Sequence, residues 1–157
     1  MTLRVAINGF GRIGRSFLRA AMERPAYGRD FDVKVVNDLA NAKTLAYLMK
    51  YDSIHGVLDS VVKATDGGME IGEHHIRFTS EKEPAKLPWM SEAIDVVIES
   101  TGFFASRKAS RLHLDAGAKK VLISAPATDP DITVVLGANL GAYDRKRHHI
   151  ISMASCT

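Results

Sequence analysis

The spacing of apolar residues changes twice within the first 38 positions of the chain. Leu3–Asn8 is mostly apolar and predicts a strand that ends at Gly9. From Arg12, apolar residues recur at spacings of three and four, which predicts a helix of about three turns limited by Pro25. Asp32–Asp38 predicts a second strand. A right-handed crossover would make these two strands parallel, so the segment reads as a βαβ unit.

The same alternation continues along the rest of the chain. Helices are predicted from near Asn41 to before Asp52 and over 106–116. Runs rich in Val, Ile and Leu predict buried parallel strands at 94–99, 120–124, 132–136 and 149–152. Residues 57–80 instead contain short runs separated by turn dipeptides, which predict a small antiparallel insertion. The predicted fold is therefore α/β, a doubly wound (Rossmann-type), mostly parallel sheet with that insertion.

Composition narrows the possible classes of protein. The 157 residues, 46% of them hydrophobic, fit one globular domain, and no apolar run approaches the roughly 18 residues that cross a bilayer. The start of the chain lacks the apolar core of a secretion signal. The single cysteine, Cys156, excludes an intrachain disulfide framework and agrees with a reducing compartment, so we expect a cytoplasmic protein.

Charge and histidine placement argue against two kinds of ligand. The net charge of +3 is scattered along the chain, and the basic run Arg145–His149 is interpreted as a solvated turn, so nucleic acid is not an expected partner. His74 and His75, like His148 and His149, are neighbours whose side chains on a strand would point to opposite faces. We therefore expect no metal site.

A glycine-rich motif lies between the first predicted strand and the first helix. Gly9–Gly14 fits the pattern G-x-G-x-x-G. Gly9 permits the tight turn, Gly11 lets the backbone approach a pyrophosphate, and Gly14 allows close packing of helix and strand. Free amides near Arg12 and Ile13 would face the phosphates. The hexapeptide alone is a weak signal, but its position between strand and helix favours a dinucleotide site.

Asp38 closes the second predicted strand, 24 positions after Gly14. An acidic residue near this distance accepts hydrogen bonds from the adenosine ribose. Its charge would repel a 2′-phosphate, and no Arg follows directly, which favours NAD over NADP. The alternative is that Asp38 only caps a helix or a turn.

Cys156 follows the last predicted strand among small and hydroxyl residues that often begin helices. A helix starting there would lower the pKa of the thiol and make it a better nucleophile. A buried, inert cysteine explains the same residues, because free cysteine packs as a small hydrophobe.

Several motifs considered together resemble one family, phosphorylating glyceraldehyde-3-phosphate dehydrogenase, along the whole chain and in order. They are Ile7–Arg15, Val36–Leu39, Lys50–Gly56, Ser100–Phe104, Ala116–Pro126 and Ala154–Thr157. The resemblance implies the amino-terminal half of a longer protein, with an NAD-binding Rossmann domain over 1–153 and the start of a catalytic domain at 154–157.

The resemblance also implies roles for individual residues. Pyrophosphate and the nearby ribose would be held by Asn8, Gly9, Phe10, Gly11, Arg12, Ile13 and Gly14. The adenosine end would contact Asp38, Lys82, Thr101, Gly102 and Phe104, and Ser124 would lie toward the nicotinamide. Cys156 would be the nucleophile, with Ser155 and Thr157 beside it at the substrate position.

The implied activity is the glycolytic, NAD-dependent oxidation and phosphorylation of glyceraldehyde 3-phosphate to 1,3-bisphosphoglycerate. A Cys156 thiolate would attack the aldehyde, hydride would pass to NAD, and inorganic phosphate would cleave the resulting thioester. The resemblance also implies a homotetramer for the intact protein. Its catalytic base and most phosphate-binding groups come from the second half, so we expect this chain alone to bind NAD without turnover.

Two departures from the family and two rival functions bear on this interpretation. Met153 stands where the family normally has Asn, and Ala127–Pro130 lacks a Lys often found there. Erythrose-4-phosphate dehydrogenase shares the same fold, fingerprint and nucleophile. A non-catalytic NAD-binding module is the alternative from another class.

Overall fold

The structure is a computed structural model that describes residues 2–154. Within that range the α-helices are α1 (Arg12–Met22), α2 (Ala42–Lys50) and α3 (Arg107–Asp115). The strands are β1 (Leu3–Asn8), β2 (Phe31–Asn37), β3 (Tyr51–Asp52), β4 (Gly56–Val57), β5 (Val62–Thr65), β6 (Gly68–Ile71), β7 (His74–Thr79), β8 (Val96–Glu99), β9 (Lys120–Ile123), β10 (Ile132–Thr133) and β11 (Ile150–Ser152). Short 3₁₀ helices lie at Pro84–Lys86 and Leu140–Ala142. No helix in this range is long and apolar enough to span a membrane.

One nine-stranded sheet dominates the described residues, in the order β10-β11-β9-β8-β1-β2-β7-β6-β5. Every pairing from β10 across to β7 is parallel, whereas β6 and β5 add antiparallel strands at one edge. The pair β3 and β4 forms a separate antiparallel ribbon. The α/β, mostly parallel, Rossmann-type fold predicted from the pattern of apolar residues is therefore confirmed.

Three details of the predicted fold differ. The predicted antiparallel insertion includes β7, but β7 pairs parallel with β2 and is a strand of the main sheet. The local pattern specifies the β6–β7 turn but not the strand on the other side of β7. The predicted strand at 132–136 ends at Thr133, because the Asn139 side chain accepts from Val135 N (2.8 Å) and donates to the Thr133 carbonyl (2.9 Å). The β3–β4 ribbon is absent from the sequence prediction.

Helices and loops cover both faces of the sheet, as a doubly wound fold requires. Val5 and Ile7 of β1 point to one face and pack in a cluster with Leu18 of α1 and residues of α2. Ala6 points to the other face, where it packs in a cluster with Trp89. Because successive strand residues alternate between faces, an unbroken apolar run fills both cores at once.

The three helices begin with different caps. The Asn41 side chain accepts from Thr44 N (2.9 Å) at the start of α2, and the Ser106 hydroxyl accepts from Ala109 N (3.2 Å) at the start of α3. Gly11 occupies the N-cap position of α1 but has no side chain to cap it. The first backbone N–H groups of α1 are therefore left available at the end of β1.

Buried Arg19 ties α1 to the end of α2. Arg19 is 8% exposed. The guanidinium Nη2 lies 2.7, 3.1 and 3.2 Å from the carbonyl oxygens of Met49, Lys50 and Gly56. Carbonyls at a helix C-terminus have no intrahelical donor, and their partial negative charge favours a cation.

We predict that Arg19→Met lowers the free energy of unfolding by about 2 kcal/mol, because the methionine fills the space but removes the side-chain donor of the buried Met49 carbonyl, whereas the Lys50 carbonyl keeps Leu58 N. Urea unfolding monitored by circular dichroism measures this change. The matched control is Arg24→Met, at an exposed position just beyond α1, which should stay within about 0.5 kcal/mol of the parent protein. Equal effects of the two changes would show that Arg19 contributes only its apolar stem.

Candidate functional site

A cleft of about 350 Å³ opens at the carboxyl ends of β1, β2 and β8. From β1 the chain proceeds to β2 and β7 on one side, and later to β8 and β9 on the other. The crevice therefore lies where strand order reverses, which is where open α/β sheets bind ligands. Its lining residues are Asn8, Gly9, Gly11, Asn37, Asp38, Leu39, Glu81, Lys82, Ser100, Thr101, Phe103 and Phe104.

The three glycines of the loop after β1 meet different surroundings. Gly9 has φ of +91°, and a Cβ there would lie 2.7 Å from Thr101 N. A Cβ on Gly14 would collide with the Gly9 carbonyl oxygen. A Cβ on Gly11 would have no protein atom within 4 Å. Gly9 and Gly14 are therefore required by the packing of the loop, whereas the space beside Gly11 is open to a ligand.

The loop directs the start of α1 toward this space and is supported from behind. Arg15 N donates to the Gly11 carbonyl (3.1 Å), which closes the first helical turn. Arg15 Nη1 donates to the Phe10 carbonyl (2.7 Å). Burial, aided by the charge of Arg12 and opposed by that of Asp52, lowers the pKa of the Arg15 guanidinium. The uncapped amides and this cation make the loop favourable for an anion.

Asp38 contacts the same loop from the end of β2. Its Oδ2 accepts from Phe10 N (2.7 Å), and its Oδ1 accepts from Ala40 N (2.9 Å). Asn41, not Asp38, is the N-cap of α2, so the helix-cap alternative for Asp38 is wrong, although Asp38 does make a turn contact. A carboxylate has about four acceptor sites, so this half-buried group can still accept from a ligand.

Two buried asparagines connect the strands beneath the loop. Asn37 Nδ2 donates to Asn8 Oδ1 (2.7 Å) and to the Glu81 carbonyl (2.8 Å). Asn37 Oδ1 accepts from Thr79 Oγ1 (2.9 Å) and Glu81 N (2.8 Å). Asn8 Nδ2 donates to Glu99 Oε2 (2.6 Å). These contacts hold β1, β2 and β8 together with the loop that carries Lys82.

The loop at 81–83 borders one side of the cleft. The Glu81 carboxylate accepts from Glu83 N (2.9 Å), and this hydrogen bond lowers the pKa of Glu81. Lys82 is exposed and lines the cleft. Its ammonium group is therefore available to a ligand. Asn37 holds this side of the cleft in place through its hydrogen bonds to the Glu81 backbone.

The opposite wall follows β8. Ser100 Oγ donates to the Gly9 carbonyl (2.7 Å), and Thr101 donates through both its N–H (2.8 Å) and its hydroxyl to Glu99 Oε1. Phe103 is 86% exposed at the cleft. The wall thus combines hydrogen-bonded backbone with a free aromatic face.

The structure brings together about half of the cofactor-binding residues predicted from the sequence. The predicted residues that line the cleft are Asn8, Gly9, Gly11, Asp38, Lys82, Thr101 and Phe104. Those outside the described lining are Phe10, Arg12, Ile13, Gly14, Gly102 and Ser124. The Phe10 side chain is fully buried in the core, and the Ser124 hydroxyl donates to the Glu99 carbonyl (3.1 Å). The predicted substrate residues Ser155, Cys156 and Thr157 lie outside the described residues.

Sequence reasoning missed five residues that line the cleft. They are Asn37, Leu39, Glu81, Ser100 and Phe103. Each is adjacent in sequence to a predicted residue, so the available signal was position at the carboxyl end of a strand. Leu39 and Phe103 are exposed apolar side chains bordering the cleft, which is the kind of surface that a flat aromatic ring contacts.

Comparison with known proteins agrees with this geometry. Residues 3–107 match the family model described as glyceraldehyde 3-phosphate dehydrogenase, NAD binding domain. Glyceraldehyde-3-phosphate dehydrogenase 1 of Streptomyces avermitilis is 52% identical over 157 residues, which are 100% of this chain and 46% of that protein. The glyceraldehyde-3-phosphate dehydrogenase of Geobacillus stearothermophilus is 50% identical, and glyceraldehyde-3-phosphate dehydrogenase 1 of Bacillus subtilis is 48% identical, with the same coverage.

The chain spans about half the length of the curated relatives it matches. The family match begins in β1 and continues to the first residue of α3. It includes the glycine loop, Asp38 and both walls of the cleft. The chain therefore belongs to the glyceraldehyde 3-phosphate dehydrogenase family and contains its NAD-binding domain.

Proposed function

We propose that this chain is the cofactor-binding half of an enzyme that oxidises and phosphorylates glyceraldehyde 3-phosphate to 1,3-bisphosphoglycerate. The observation that carries the proposal is the contact of Asp38 with Phe10 N of the glycine loop at the switch point (2.7 Å). This contact holds an acidic acceptor beside the loop that leads into the free amides of α1. Identity of 48 to 52% to three named dehydrogenases across the whole chain supports the same activity.

The residues of the cleft fit a dinucleotide. The open space beside Gly11 admits a pyrophosphate, and the uncapped amides at Arg12 and Ile13 supply donors for it. In this proposal Gly9 and Gly14 shape the loop, whereas Asn8 and Phe10 act through the backbone, because both side chains are buried. Buried Asn8 also supports the loop from beneath.

The two walls would hold the adenosine end of NAD. Asp38 retains acceptor capacity for ribose hydroxyls, and its charge disfavours a 2′-phosphate. Thr101 and Phe104 line one wall, with Gly102 in the same turn, and Lys82 would contribute a positive charge at the other. Ser124, at the end of β9, would lie farther along toward the nicotinamide.

The proposed chemistry depends on a thiol beyond the described residues. NAD, when bound, supplies the hydride acceptor. Cys156 would attack the aldehyde carbon, with Ser155 and Thr157 at the substrate position, and inorganic phosphate would release the acyl group from the cysteine. In this division, residues 1–153 form the NAD-binding domain and 154–157 begin the catalytic domain.

We further propose a cytoplasmic homotetramer that uses a phosphorylated aldehyde and inorganic phosphate. The single cysteine and the family membership support the compartment. Exposed Tyr47, Tyr51 and Ile54, clustered on α2 and the β3–β4 ribbon, give apolar surface that subunit contacts would cover.

Substituting two glycines separates ligand binding from folding. Gly11→Ala should fold normally but weaken NAD binding about tenfold or more, because its methyl group occupies only the ligand space. Gly14→Ala should destabilise the protein by at least about 1 to 3 kcal/mol, because its methyl group meets the Gly9 carbonyl. Calorimetric NAD titration and thermal unfolding measure the two effects. Undiminished NAD binding by Gly11→Ala would contradict the proposed pyrophosphate site.

Asp38 sets the preference between the two cofactors. Asp38→Asn should weaken NAD binding about tenfold and bring the dissociation constants of NAD and NADP closer, since it removes both an ionised acceptor and a repulsive charge. Titrations with both cofactors measure this ratio. Asp59→Asn, at an exposed position after β4 and outside the cleft lining, is the control for the same chemical change and should leave the ratio unchanged. A ratio that Asp38→Asn does not alter would remove Asp38 from the ribose site.

Substrate choice distinguishes the two dehydrogenase activities. The protein at its natural length should have a higher kcat/KM for glyceraldehyde 3-phosphate than for erythrose 4-phosphate. Both rates are measured by NADH formation in the presence of inorganic phosphate. Cys156→Ser should abolish turnover without changing NAD affinity. A reversed substrate preference would favour the four-carbon aldehyde, and NAD binding without turnover on either would favour a non-catalytic module.

A further inference from the structure

The most deeply buried carboxylate of residues 2–154 lies behind the cleft wall. Glu99 ends β8 and is 2% exposed. No Lys or Arg nitrogen within the described range lies within 4 Å of it, and its one ion-pair partner is the ring of His113. Burying such a charge is unfavourable unless hydrogen bonds replace the lost water. The arrangement therefore needs a reason beyond packing.

Four hydrogen bonds surround this carboxylate. Oε2 accepts from Asn8 Nδ2 (2.6 Å) and His113 Nε2 (2.9 Å). Oε1 accepts from Thr101 N (2.8 Å) and from the Thr101 hydroxyl. All four acceptor sites of an ionised carboxylate are thus used. Asn8 and Thr101 line the cleft, and Glu99 links them from behind.

Trp89 fixes the ring that supports Glu99. An indole N–H can only donate, so Trp89 Nε1, 2.9 Å from His113 Nδ1, makes that ring nitrogen an acceptor. The ring proton therefore lies on Nε2 and points to Glu99. Trp89 and His113 are both fully buried, which keeps this orientation.

The Glu99 carboxylate also fixes the hydroxyl rotor of Thr101. The Thr101 hydroxyl donates to Glu99 Oε1, which fixes where its hydrogen points. Its oxygen is then free to accept from Phe103 N (3.1 Å). This chain of hydrogen bonds sets the turn at 101–103, the wall that ends in exposed Phe103.

We propose that Glu99 is a positioning residue that orients Thr101, and through it the 101–103 wall, for the adenosine part of NAD. The inference rests on the proposed function and assigns to that site a residue that does not line it. Glu99 acts through Thr101, so its removal should affect the adenosine end of the cofactor and leave the nicotinamide end unchanged.

The test compares Glu99→Gln with Glu92→Gln. Glutamine keeps the shape of Glu99 but lets its amide donate toward Thr101, so the hydroxyl can turn away. Glu92 pairs with Arg4 and Arg77 outside the cleft lining and receives the same chemical change as a control. Calorimetric titration of the protein at its natural length gives affinities for NAD and 5′-AMP, and NMR titration gives that for nicotinamide mononucleotide.

We expect Glu99→Gln to bind NAD and 5′-AMP about ten- to a hundredfold more weakly, with nicotinamide mononucleotide affinity unchanged. Glu92→Gln should bind all three like the parent protein. Adding Thr101→Val to Glu99→Gln should weaken NAD binding little further, since two residues in one chain of contacts are not additive. Three results would each overturn the proposal. They are an equal loss of affinity for all three ligands in Glu99→Gln, additive losses of NAD affinity in the double variant, and an NAD affinity of Glu99→Gln within twofold of the parent.

Folding is checked by circular dichroism before each titration. If Glu99→Gln does not fold, Glu99→Asp takes its place, because it keeps the charge but withdraws the carboxylate from Thr101 by one methylene group. The same outcomes then apply. If the parent protein does not bind NAD, the proposed function is refuted. If the parent and the Glu99 variant bind NAD equally well, only the proposed role of Glu99 is refuted.

Discussion

The close approach of the glycine loop to the end of β8 is the constraint on which the cleft depends. Gly9 lies so near Thr101 N that a Cβ would be 2.7 Å away, and Ser100 Oγ donates to the Gly9 carbonyl at 2.7 Å. On its other side the loop donates Phe10 N to Asp38. The loop is thus held between the ends of β2 and β8. Because β1 is the strand between them, the switch-point crevice and the uncapped start of α1 coincide.

Two carboxylates near this loop divide structural and binding roles according to how fully they are hydrogen-bonded. Glu99 is buried and its acceptor sites are filled by side chains and backbone of the chain itself. Asp38 is half-buried and accepts two backbone hydrogen bonds among residues 2–154, which fix its direction and leave it further acceptor capacity. A carboxylate whose acceptor sites are all filled by the protein contributes rigidity, whereas one with free acceptor sites can also bind a ligand.

The sequence predicted the elements best where local pattern alone determines them. The helix start at Asn41 and the strand beginning at Lys120 follow from capping chemistry and unbroken apolar runs. Contacts between distant segments were not predictable in this way. His113 lacks any acidic partner at ligand spacing in the sequence, yet the fold brings it 2.9 Å from Glu99, fourteen positions away on another element. Likewise, the parallel pairing of β7 depends on β2, which no turn signal near 72 encodes.

The start of α1 lacks a side-chain cap, which makes the helix less stable locally but leaves its first N–H groups free for a ligand. Asn41 and Ser106 cap α2 and α3, and such caps typically stabilise a helix by about 1 kcal/mol. Gly11 gives α1 no such contribution. A side chain able to cap α1 would supply its own oxygen where a phosphate would otherwise bind. The loop before α1 is held instead by Arg15 on the Phe10 carbonyl and by Asp38 on Phe10 N. A bound anion would complete the hydrogen bonding of α1, so occupancy of the cleft and stability of the domain are thermodynamically linked.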